Sequence, residues 1–155
     1  MPLSTDKSHW WQSFGNASQI GSALAAIGAL AFIAFQVSQI EVNSRKANAR
    51  QVYLAYSNAG LQYPELLRPA DYGAIRANPT QFERYKWYVT MMIYAYDEMI
   101  DAAHDEGWIA SFEYELPDHF ALLCDLKQSE PRFFTQFEAD TNALIDQALA
   151  GKCPG

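Results

Sequence analysis

The side chains best placed to do chemistry are Asp97, Asp101, His104 and Asp105. At helical spacing they share one side of one helix. Asp101 to His104 is the carboxylate-x-x-His step that brings two ligands to one metal in di-metal helical bundles. A centre of that kind needs a second such pair and further carboxylates from facing helices. The chain has no second pair: His119 follows Asp118 directly, and His9 lies beyond a long apolar run. Asp97, Asp101 and His104 are therefore candidate metal ligands set against a plainer expectation, an acidic solvated helix end with no resident metal or cofactor. Nucleophilic chemistry has no support either. There is no Gly-x-Ser-x-Gly elbow, no phosphate-cradling glycine loop and no cysteine beside a local base. No catalytic residue is assigned, and a non-enzymatic role is expected. Trp87, Tyr88, Tyr94 and Trp108 either line a pocket for an apolar ligand or pack in the core.

The helix carrying the acidic cluster starts at Asn78-Pro79, an N-cap followed by a first-turn proline, and Gly107 is its expected stop. Phe82, Tyr85, Val89, Met92, Tyr96, Met99 and Ala103 form one face. Trp87 to Tyr96 carries no charge on any side but is too short to span a bilayer, so this is the central, most buried helix. Tyr63 to Leu67 reads as a single helical turn. Ser111 is expected to cap a short segment that Pro117 interrupts. A helix over 118–127 then turns Phe120, Leu123 and Cys124 inward. Glu130-Pro131 opens the last helix, with Phe133, Phe134, Phe137, Leu144, Ile145 and Leu149 apolar, and Gly151 closes it.

From Trp10 to Ile40 there is no ionisable side chain. Residues 17–37 give about 21 residues, or ~31 Å of helix, enough for a hydrocarbon core of ~30 Å. The expected organisation is an N-terminal extracytoplasmic segment (1–16), a transmembrane helix (17–40), a helical domain (41–151) and a tail (152–155). A buried core helix and a cleaved signal peptide are the alternatives. Trp10 and Trp11 suit one headgroup boundary, and Arg45, Lys46 and Arg50 follow the other end. The positive-inside bias then puts the N-terminus outside and the domain in the cytoplasm, three cations against Lys7. Ala17, Gly21, Ala25 and Ala29 recur every four residues, a face that lets another membrane helix, from a second copy or another protein, approach closely. Past the bilayer the helix is expected to continue to Ala59 and stop at Gly60, with Val42, Ala49, Val52, Tyr53 and Tyr56 packing on the domain.

The net charge of −7 is uneven, because residues 91–155 carry three cations against thirteen carboxylates. Such a half repels phosphate backbones, which argues against nucleic acid and for a basic protein surface as partner. Asp101, Asp105 and Glu106 sit near the negative end of a helix dipole. Arg45, Lys46 and Arg50, or a partner's basic patch, are the expected compensation, with plain solvation as the alternative. Cys124 and Cys153 have no redox or metal-ligand neighbours and are expected as two thiols in a reducing compartment, with a Cys124–Cys153 disulfide as the alternative.

The order of anchor, basic juxtamembrane helix, Tyr63-Pro64-Glu65-Leu66 turn, then Glu98 on an aromatic helix running to Gly107-Trp108-Ile109, resembles a broad group of short uncharacterised bacterial membrane proteins with one N-terminal span. The resemblance implies a bacterial inner-membrane setting and no reaction. The expected fold is all-α, with one transmembrane helix continuing into an irregular bundle of about four helices. The expected role is a membrane-anchored accessory or scaffold subunit of a larger membrane complex. The alternative is a membrane-tethered sensor or helical module that binds a small ligand or metal.

Overall fold

The computed structural model describes residues 7–103 and 106–153, apart from the side chains of residues 7–21, 23 and 103. The described chain is all-α and contains no strand. Its helices are α1 (Lys7–Gln62), α2 (Pro64–Leu67), α3 (Tyr72–Ala77), α4 (Pro79–Ala103), α5 (Glu106–Glu115), α6 (Phe120–Ser129) and α7 (Ala139–Leu149), with 3-10 turns at Leu116–His119 and Pro131–Gln136. Two compact units divide inside α1, between Asn43 and Ser44.

Among the described residues one helical stretch, Leu24–Gln62, is long and apolar enough to cross a membrane, and none of its apolar window is buried. Leu24, Ile27, Leu30, Phe32, Ile33 and Phe35 are all more than half exposed. Ala25 and Ala29 of the small-residue face are exposed. The side chains of Trp10, Trp11, Ala17 and Gly21 lie outside the described residues.

The second unit is built around α4. Asn78 caps it by accepting from the Gln81 N–H at 3.2 Å, and Tyr85, Val89, Met92, Tyr96 and Met99 are buried as the periodicity requires. Asp71 caps α3 in the same way, accepting from the Ala74 N–H at 3.0 Å. The end of α1 packs on this core through Ala49 and Tyr56, with Val52 and Tyr53 half-buried. At the C-terminus, Asn142 donates to the carbonyls of Phe134, Phe137 and Glu138 and so ties the second 3-10 turn to α7. Gly151, at φ +69, ends the last helix in the left-handed conformation that glycine tolerates best.

Four expectations are corrected. Gly60 does not stop α1, which runs on to Gln62. Its lack of a side chain serves packing instead, because a Cβ there would lie 2.9 Å from Tyr88 Oη and 3.0 Å from Leu67 Cδ2. Gly107 lies within the first turn of α5, and Ser111 sits inside α5, where its hydroxyl donates back to the Gly107 carbonyl at 2.8 Å. The third correction concerns residues 116–136. Pro117 and Pro131 each open a 3-10 turn, so α6 begins at Phe120 and the last α-helix at Ala139. Finally, Cys124 and Cys153 are not two thiols. They form a disulfide with Cα atoms 5.3 Å apart, fastening the segment after α7 to α6.

The contact at Gly60 yields the first prediction. Gly60→Ala gains helix propensity but forces the buried Tyr88 ring to move, and overpacking outweighs the gain, for a net loss of about 1–2 kcal/mol. Adding Tyr88→Phe, which deletes the nearest clashing atom, restores most of that loss in thermal unfolding of the detergent-solubilised chain. An undiminished loss in the double variant would refute this reading.

Candidate functional site

Within the second unit, three elements converge on one carboxylate. Glu115, the last residue of α5, is half-buried and accepts from the Tyr56 hydroxyl of α1 at 2.5 Å through Oε2 and from the Tyr96 hydroxyl of α4 at 2.9 Å through Oε1. One turn further on, His119 is almost wholly buried, and its Nδ1 shares a 2.7 Å hydrogen bond with the Tyr85 hydroxyl. Tyr53 and Trp108 pack edge-on with centroids 4.8 Å apart, and both stand against the Tyr96 ring. Tyr88 Oη is buried with no hydrogen-bond partner among the described residues.

Electrostatics follow from this burial. Desolvation, reinforced by the Glu115 charge, pushes the Tyr56 and Tyr96 phenols far above their ordinary value, and burial does the same to Tyr85. Burial lowers the His119 imidazole to about 4, against an opposing pull from Asp118. At neutral pH the phenols are therefore protonated and the imidazole is uncharged.

Above it opens a cleft of roughly 340 Å³ lined by Tyr56, Leu67, Tyr114, Glu115 and His119 with Pro64, Arg68 and Asp118. Arg68 and Asp118 pair through a 2.8 Å hydrogen bond. The sequence hid this site. Glu115 and His119 are one turn apart, but Pro117 between them reads as a break, and His119 draws attention only as an unsuitable metal ligand beside Asp118.

The acidic cluster has a different arrangement. Asp97 is buried and accepts from the Glu138 N–H at 3.2 Å, placing a carboxylate at the positive N-terminal end of α7. Asp101 is exposed, and His104 and Asp105 lie outside the described residues. No group of three His, Cys, Asp or Glu side chains able to hold a metal ion occurs among the described residues. Lys46 and Arg50 are exposed, and neither pairs with Asp101 or Glu106. The four aromatic residues singled out for a pocket do not converge on one. Tyr88 is in the core and Trp108 is half-buried, whereas Trp87 faces outward and Tyr94 lies at the surface with its ring edge-on against Phe137 at 5.1 Å.

That outward face is the second notable surface. All of α4 between Tyr85 and Ile100 is buried or half-buried except one narrow stripe at Trp87, Met91, Tyr94 and Glu98. Trp87 is 67% exposed, and Met91 and Tyr94 are each 37% exposed. Glu83 and Asp101 continue the stripe at its two ends, so an apolar centre is flanked by carboxylates.

The lowered His119 pKa fixes a pH dependence. The folded value of about 4 lies below the ordinary 6.5, so between these pH values the unfolded chain takes up a proton that the folded chain refuses. The stabilisation is complete above about pH 6.5 and is lost as pH falls towards 4, by ~3 kcal/mol in total. Thermal unfolding from pH 7 to pH 4 is expected to show a steeper loss in the native chain than in His119→Gln; equal slopes would contradict it.

The chain matches no protein-family model, no curated protein and no solved structure, so its functional reading rests on the geometry of the Glu115 cleft and the α4 stripe.

Proposed function

We propose that this chain is a non-enzymatic accessory subunit, anchored by α1 in a bacterial inner membrane and docked on a larger membrane complex. The observation that carries the proposal is the α4 stripe. Tryptophan, methionine and tyrosine are enriched at the centres of protein interfaces, and here they lie on the exposed line of the α4 segment between Tyr85 and Ile100, which is otherwise buried or half-buried. Glu83, Glu98 and Asp101 around them call for a partner helix with an apolar centre and Lys or Arg at its ends. The acidic C-terminal half supports the same partner chemistry. The small-residue face at Ala17, Gly21, Ala25 and Ala29 supports a second contact inside the bilayer, with a membrane protein or a second copy. The bacterial setting rests on the resemblance to short single-span proteins.

Two features bear on orientation in opposite directions. Arg45, Lys46 and Arg50 favour a cytoplasmic domain by a margin of two over Lys7, narrowed further by any N-terminal amine. The Cys124–Cys153 disulfide favours an oxidising compartment, since such bonds rarely persist where thiol reductants are abundant. We give the disulfide the greater weight and place the domain on the oxidising side.

Two experiments test these readings. In native mass spectra of the chain extracted from its own membrane, a stoichiometric partner is expected with the native sequence. The Trp87→Ala/Met91→Ala variant is expected to lose it while unfolding at an unchanged temperature. Retention of the partner by the variant, or its absence from both, would count against the docking role. In spheroplasts, protease added outside is expected to remove a C-terminal epitope tag; protection until the membrane is permeabilised would instead place the domain in the cytoplasm.

A further inference from the structure

We propose that the cleft over Glu115 is a binding site for a small organic ammonium group, a recognition function separate from the α4 stripe. Its chemistry follows from a charge without a counter-ion. Glu115 is half-buried, and among the described residues no lysine or arginine pairs with it; its hydrogen-bond partners are the neutral phenols of Tyr56 and Tyr96. Those two donors leave further lone pairs on the carboxylate free to accept.

Arg68 is the one lysine or arginine in the lining, and its guanidinium is engaged by Asp118 at 2.8 Å and by the Tyr114 side chain. The lining thus carries two carboxylates against one guanidinium, and His119, with its pKa lowered by burial, adds no positive charge. The net charge of the cleft suits a monocation.

The walls select the kind of cation. Tyr114, largely exposed, contributes an aromatic side chain and Leu67 an aliphatic one, whereas Tyr56 is almost wholly buried at the cleft floor. Phenol faces attract ammonium groups, and apolar walls favour a cation with a hydrocarbon body over a hydrated metal ion, which demands oxygen ligands on several sides. A cleft of roughly 340 Å³ accommodates such a group with a short alkyl or aryl body.

The test uses the full-length chain in non-ionic detergent, with n-butylammonium as the probe and n-butanol as its uncharged counterpart, by titration calorimetry. n-Butylammonium is expected to bind, with n-butanol at least about tenfold weaker. Glu115→Gln is expected to reduce n-butylammonium affinity by at least about tenfold. Because Glu115 also anchors Tyr56 and Tyr96, Tyr114→Ala serves as the second variant. Tyr114 is 72% exposed, so its loss spares the core, and a several-fold drop in affinity is expected. Absence of n-butylammonium binding to the native chain, equal binding of n-butanol, or unchanged affinity in a folded Tyr114→Ala would each overturn the proposal. Repeating the titration in nanodiscs assigns the source. Competition from phosphatidylethanolamine but not phosphatidylglycerol would identify a lipid headgroup ammonium, and equal affinity in both would identify a free amine.

Discussion

The second unit depends on the hydrogen bonds that Tyr56 and Tyr96 donate to Glu115. A carboxylate at the C-terminus of a helix opposes the helix dipole, and half-burying it adds a desolvation cost. Two phenol donors, one from α1 and one from α4, offset that cost and in doing so lock three helices to one another. Charge-assisted bonds of this kind are stronger than neutral ones, and their geometry fixes the register of the end of α1 on the core. Without them that end of α1 would be held by packing alone, through Ala49, Val52, Tyr53, Tyr56, Ala59 and Gly60.

Around that junction the remaining polar contacts make sense as local fastenings. Tyr72 and Arg76 of α3 both donate to Asp125 of α6, at 2.7 and 2.9 Å, Lys86 of α4 reaches Glu130, and Lys127 of α6 reaches Asp146 of α7. Partly exposed pairs of this kind contribute little each. Most of the stability comes instead from the apolar core on α4 and from the covalent Cys124–Cys153 link. By joining residues 29 positions apart, that link removes roughly 3–4 kcal/mol of unfolded-state freedom in the chain-entropy account. Asp97 contributes differently, by setting a carboxylate at the start of α7. The acidity that suggested metal chemistry thus serves the start of α7 at Asp97, and Asp101 stays exposed at the end of the α4 stripe.

Much of the architecture is legible in local chemistry. Asn78-Pro79 starts a helix because its side chain and ring satisfy the first turn, and the buried face of α4 follows from apolar spacing at 82, 85, 89, 92, 96 and 99. What is not legible depends on distant partners. The use of Gly60 is visible only once Tyr88 is known to lie against it, and the pairing of Cys124 with Cys153 only once α7 turns the chain end back to α6. Glu115 looks like any exposed helical glutamate until Tyr56 and Tyr96, separated from it by 59 and 19 positions, are brought to its two oxygens. The uncharged run from Trp87 to Tyr96 indicates burial correctly on average. It gives no sign that Trp87, Met91 and Tyr94 fall on the one line left uncovered.

The most direct test of this account is a double-mutant cycle between Tyr56→Phe and Glu115→Gln, read from chemical unfolding of the detergent-solubilised chain. A hydrogen bond to a carboxylate that joins α1 to α5 predicts a coupling of about 1.5–3 kcal/mol. Strictly additive losses would contradict it, because Tyr56 and Glu115 would then contribute independently and the junction would rest on apolar packing alone.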